Sequence, residues 1–199
     1  MQRAPRRHTP ASLALALALY GCTARSEFMR PAPRVEAWIA PADRALVVFI
    51  RPDSFSAAVK ATVLDDQGNY VGDSLPASYF SASVTPGDHV FLAWAMNTAV
   101  LEAHLAAGQT YFVEVVLSAG LWAPRVDLVP LTPRSEDWSR RGEWLHDYRS
   151  LAVDPAQGQA AFKKRKDDVE GQLKRARGVL KDYSSGELVR VSLQPGDGI

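Results

Sequence analysis

The chain has one cysteine in 199 residues. That excludes a disulfide framework and any thiolate metal cluster, so the fold must be held by its apolar core. It lacks an apolar run long enough to span a bilayer. The longest, over residues 11–20, covers roughly 15 Å as a helix against a hydrocarbon core of about 30 Å. It also lacks an excess of either charge: 23 basic residues stand against 22 acidic ones, formally +1. That balance offers no electrostatic footprint for nucleic acid. Histidine is scarce, and none of the four falls in an HxH or HExxH arrangement, which removes the local zinc signatures. No G-x-S-x-G elbow and no glycine-rich turn from strand into helix occurs, so the usual marks of serine hydrolases and nucleotide-binding folds are missing.

What is present begins at the amino terminus. Arg3, Arg6 and Arg7 precede the short apolar run, and no acid accompanies them. A basic segment followed by a short apolar one is the pattern of a secretory signal peptide. The run ends in Leu19-Tyr20-Gly21-Cys22. This resembles the bacterial lipobox, with Leu three residues before the cysteine and a small residue immediately before it; Tyr20 is bulkier than usual. The resemblance implies that the Cys22 sulfur takes a diacylglyceryl group, that the chain is cut between Gly21 and Cys22, and that the new amine is acylated. The alternative is a free or buried cysteine at the end of an ordinary signal. Two or three acyl chains, at about 0.8 kcal/mol per buried CH₂, anchor a protein firmly without a spanning helix. Thr23 follows the cysteine. By resemblance to enteric lipoproteins, the absence of Asp there favours the outer membrane, facing the periplasm. Removing residues 1–21 takes away three arginines and no acid, so the formal charge becomes about −2 and 178 residues remain.

Residues 22–43, with Pro31, Pro33 and Pro41, read as a lipidated tether, along which the apolar stretch at 35–39 with Trp38 lies on the domain or adds a short strand. From 44 to 133 the apolar period is two. About eight strands recur at roughly ten-residue spacing, separated by turns such as DDQGN and TPGDH. No helical pattern interrupts them, which argues against a parallel βαβ sheet. The expectation is a mainly β fold, an antiparallel immunoglobulin- or transthyretin-like β-sandwich, with Phe49, Phe80, Leu92, Trp94 and Tyr111 in its core. A C-terminal helical extension follows over 134–187. Its first, short helix opens at Ser135, and a second, longer one has Asp154 as N-cap and Pro155 in the first turn. Residues 188–199 read as a short edge strand or a tail.

Arg51-Pro52 after the first strand, Asp66-Gln67-Gly68 in a hairpin, Pro86-Gly87-Asp88-His89 in a turn and Gly108-Gln109-Thr110-Tyr111 at a strand start together resemble a bacterial lipoprotein domain known as domain of unknown function 2846. The resemblance covers residues 44–133, rests on turn and strand chemistry, and implies a fold; it transfers no functional residue.

The long helix carries Phe162, Val169, Leu173, Ala176, Leu180 and Tyr183 on one seam, and KKRK and KRAR on its surface. Three readings stand: a basic patch for anionic headgroups, a solvated face whose seam packs on the sandwich or the first helix, and a homotypic coiled coil. His89, His104 and His146 lie in different elements, so a metal site would require the fold to converge them. Asp65-Asp66 beside Gln67-Gly68 is better explained by the turn than by acid catalysis. Leu121 and Trp122 mark the apex of a predicted hairpin, either exposed to stack on a sugar or anchor a partner, or folded back over the sandwich. No catalytic constellation, cofactor site or metal site emerges. The functional expectation is therefore a lipid-anchored cell-envelope protein, a non-catalytic binding or scaffold module whose partner is an envelope protein or peptidoglycan. The alternative is an envelope hydrolase that assembles His89 or His104 with a serine and an acid from separate loops.

Overall fold

The computed structural model describes residues 23–52 and 55–199. In chain order its elements are β1 (Met29–Pro31), β2 (Ala45–Arg51), β3 (Ala61–Asp65), β4 (Tyr70–Ser74), β5 (Ser78–Val84), β6 (Gly87–Trp94), β7 (Thr98–Leu105), β8 (Thr110–Ser118), β9 (Arg125–Leu131), α1 (Arg141–Asp147), β10 (Arg149–Val153), α2 (Pro155–Lys164), α3 (Lys166–Ser185) and β11 (Ser192–Leu193). Short 3₁₀ turns precede α1 and follow β11.

The strands form two sheets, ordered β1-β10-β5-β2-β8-β9 and β11-β7-β6-β3-β4. Both are mixed. Hairpin neighbours pair antiparallel, but β2 runs parallel to β8, β10 to β5 and β11 to β7. The all-antiparallel expectation thus holds for the hairpins and for β1–β10, β2–β5 and β3–β6, and fails at those three parallel pairs. Strands distant in sequence enter a sheet in whichever direction their connection delivers them, and turn signals carry no information about that.

One apolar core lies between the sheets. It takes Val47, Phe49, Phe80, Tyr111, Val113 and Val115 from the larger sheet and Val63, Phe91, Ala93, Leu101 and Ala103 from the smaller. Phe49 stacks on Phe80 and meets Phe91 edge-on. Leu92 and Trp94, expected in this core, point the other way. Both faces of β6 are apolar because both are covered, so alternation cannot say which side is inward.

The outer face of the smaller sheet, with Leu64, Leu92 and Val100, is covered by Phe162, Val169 and Ala176 of α2 and α3, while Leu173, Leu180 and Tyr183 pack alongside. The heptad-like seam is therefore occupied by the sheet. Asp154 caps α2 by accepting from the Gln157 amide. Arg165 separates α2 from α3, its guanidinium 4.6 Å above the Trp94 ring, so the expected single helix is two. Gly158 sits where any Cβ would strike the Tyr70 ring, which lets α2 approach β4 closely. The outer face of the larger sheet is closed by Trp144 of α1, with Trp38, Trp138 and Tyr148 around it.

Two segments are drawn into the larger sheet. Met29 is buried and β1 pairs with β10, so part of the stretch read as a tether is a strand. Residues 149–153, inside the stretch expected as a helical extension, form β10 between β1 and β5. Ser150 and Leu151 are buried there, while Trp138, Leu145 and Tyr148 share one apolar cluster.

Candidate functional site

The strand directions define two ends. β2, β4, β6 and β8 finish at one end, where β3, β5, β7 and β9 begin, as the paired residues Arg51 and Ser78, Ala61 and Ser74, Thr98 and Trp94, and Ser118 and Arg125 establish. The connections at this end run over residues 52–60, 75–77, 95–97 and 119–124. Asn97 ties two of them together. Its side chain donates to the Val126 carbonyl (2.9 Å) and accepts from the Val126 amide (2.7 Å), giving the open edge of β9 a strand-like partner.

The chain enters the described structure at the same end. The Ala24 amide donates to the Ala57 carbonyl in the 52–60 connection. Ser26 then reaches a fully buried carboxylate. Asp73 accepts from Ser26 Oγ (2.5 Å), Thr62 Oγ1 (2.6 Å) and Lys60 Nζ (3.0 Å), and the lysine side chain remains about one-third exposed. A buried carboxylate is tolerable only when its lone pairs are filled and its charge is countered; here three donors from two segments do both. The clamp fixes residues 24–28 along the outer face of β3 and β4. Phe28 completes it by packing edge-on against Tyr70 and Phe162. Burial, and secondarily the Asp73 carboxylate, pushes ionisation of the Tyr70 phenol well above its ordinary range.

Trp122 stands at the apex of the β8–β9 connection, 93% exposed, with Leu121 at 89%. The exposed reading of this loop is the one observed. Cys22 and Gly21 lie outside the described residues.

The histidines do not converge. His89 Nε2 contacts the Thr85 carbonyl at 2.7 Å, His104 Nδ1 contacts Asp88 across the β6–β7 pair at 2.6 Å, and His146 Nδ1 contacts neighbouring Asp147 at 2.7 Å. All three lie at the surface. His89 shares the wall of an open cleft of about 680 Å³ with Ser81, Ser83, Asp65 and Asp66. Asp65, however, is spent on the turn, accepting from the Gln67 and Asn69 amides and the Asn69 side chain, and Ser83 Oγ accepts from Arg44. Among the described residues no group of three His, Cys, Asp or Glu side chains is placed to hold a metal, and no helix is long and apolar enough to cross a membrane.

Sequence reasoning missed Ser26, Lys60, Thr62 and Asp73 as a unit. One signal was available: Asp73 and Thr62 interrupt strands otherwise made of apolar and small residues. The pairing of Thr62 with Asp73 depends on register, with a bulge between Val63 and Leu64, which the sequence does not display. Fold and site together define a two-sheet, mostly β protein with C-terminal helices and a clamped N-terminal segment. No protein-family model, curated protein or solved structure matches the chain.

Proposed function

We propose that the chain is a lipid-anchored protein of the bacterial cell envelope, held through acyl chains on Cys22 and serving as a non-catalytic binding or scaffold module. The observation that carries the reading is the basic segment, short apolar run and Leu-Tyr-Gly-Cys ending over residues 1–22. The clamp supports it, since Ser26 and Asp73 fix the chain four residues after the cysteine and leave little slack between anchor and domain. The absence of Asp at position 23 favours the outer membrane, with the domain in the periplasm. The fold is read as a relative of immunoglobulin- or transthyretin-like sandwiches. The shared inter-sheet core supports that reading, as does the antiparallel pairing of β2 with β5 and of β3 with β6. The turn motifs favour kinship with domain of unknown function 2846. The partner is an envelope protein or peptidoglycan.

The test is metabolic labelling with a palmitate analogue followed by detergent partition. The wild type is expected to label and enter the detergent phase, and Cys22→Ala to do neither. A Cys22→Ala protein that still labels and partitions overturns the anchor. Co-sedimentation with purified sacculi then separates a peptidoglycan ligand from a protein one.

A further inference from the structure

Four of the ten exposed large apolar side chains among the described residues, Phe55 (47% exposed), Met96 (68%), Leu121 (89%) and Trp122 (93%), lie in connections at the end where the chain enters the fold; the others, Ile39 and Val189 among them, are scattered elsewhere. The described parts of these connections, FSAAVK at 55–60, LPA at 75–77, AMN at 95–97 and SAGLWAP at 118–124, carry one charged residue, Lys60, and that one is paired with Asp73. Arg25 and Arg125 are exposed at this same end, as is Glu27.

We propose that this end is a membrane-docking face whose loop tips, led by Trp122 and Leu121, enter the interfacial layer of the bilayer that holds the Cys22 acyl chains. The inference rests on the lipid anchor proposed above. Three features favour lipid as the occupant. First, covalent geometry keeps Cys22, two residues before Ala24, within about 7 Å of that residue's Cα, and Ala24 is bonded into the 52–60 connection at this end. The acyl chains, and the bilayer that holds them, then start from this end of the sheets. Second, the four apolar side chains come from three separate loops. That suits shallow burial in a fluid layer better than recognition of one rigid partner. Third, Trp, Phe, Leu and Met are side chains that partition into the interface, and tryptophan in particular settles at headgroup level with its indole N–H hydrated. Arg25 and Arg125 are placed to meet phosphate groups around them. Docking would fix the orientation of the domain on the membrane. The face with the His89 cleft, at the far end of the sheets, would then be presented away from the membrane.

The experiment uses the full-length protein, processed in a bacterial host and reconstituted into phosphatidylethanolamine–phosphatidylglycerol vesicles with or without dibrominated acyl chains. Trp122 is the only one of the five tryptophans among the strongly exposed apolar residues. Brominated chains are expected to quench one component of the emission, and Trp122→Phe to abolish that component while palmitate labelling stays intact. Leu121→Ser combined with Met96→Ser should reduce the same quenching without altering the label. Label present with quenching equal in wild type and Trp122→Phe overturns the docking and leaves the anchor standing. Failure of the wild type to label overturns both. Label without quenching in pure lipid, together with a blue shift of the Trp122 emission only in native membranes, assigns this end to a protein partner and also overturns the docking.

Discussion

At one end of the sheets the described turns read FSAAVK, LPA, AMN and SAGLWAP; at the other they read DQGN, TPGDH and AAGQ. The second set uses its polar side chains to build the turns. Asp65 accepts two amides, His89 reaches the Thr85 carbonyl, and Gly68, Gly87 and Gly108 take the positive φ their turns require. In the first set Leu75 is buried in the core and Asn97 holds the edge of β9, but Met96, Leu121 and Trp122 turn their apolar groups outward. A hairpin needs no exposed Leu-Trp to close. Two ends of the same sheets therefore separate turn chemistry that serves folding from turn chemistry left over for contact with something else.

The largest change to this contrast should come from the clamp that brings the chain to the apolar end. Asp73→Ala removes the acceptor shared by Ser26, Thr62 and Lys60 and leaves buried donors unpaired. The cost is on the order of 3 kcal/mol, read as a lower denaturation midpoint. It should also free residues 24–28, so that trypsin cuts after Arg25 at a protein concentration and temperature where the wild type resists. A midpoint within error of wild type, or unchanged protection at Arg25, would show that Phe28 and β1 hold the segment unaided.

A smaller effect follows from Tyr70, whose hydroxyl belongs to the same region. Its folded pKa is raised by burial and then by Asp73, so the folded state favours the neutral phenol. The stabilisation is complete below the unfolded tyrosine value of about 10 and is lost as pH rises towards the folded value, by up to about 1.4 kcal/mol per pH unit. Tyr183, raised by burial and by Glu102 and Asp127, acts in the same direction. Stability measured from pH 9 to 11.5 should fall, and Tyr70→Phe should flatten the fall without eliminating it. An unchanged slope in Tyr70→Phe would place the loss elsewhere.

The strands and the sites of most turns were legible because period-two patterning and Gly, Pro, Asn and Asp punctuation are local signals. Eight predicted strands over 44–133 correspond to β2 through β9. β1 and β10 were not legible, since each is short and gains its partner only through the fold; Met29 and Leu151 look no different from linker and helix residues until they are buried. The assignment of Leu92 and Trp94 to the wrong face has the same origin: helices from the far end of the chain cover a surface that a local reading leaves to water. At the site, Trp122 was visible from its place in a hairpin apex. Its company was not, because residues 24, 55, 96 and 122 meet at one end only through the parallel pairing of β2 with β8 and the bond from Asn97 to Val126.

The smallest effect on stability is expected from the residues with the most exposed apolar surface. Trp122 and Leu121 already present almost all of their area to solvent in the folded chain, so truncating them removes little that folding had buried. Leu121→Ala with Trp122→Ala should shift stability by no more than about 0.5 kcal/mol, measured by chemical denaturation in detergent micelles. A loss of 2 kcal/mol or more would mean that the loop folds back on the sandwich end and that its apolar groups serve the core. A near-zero loss leaves those groups without a structural task. Two adjacent large apolar side chains at a tip that folding does not need are then free to serve the proposed contact with lipid.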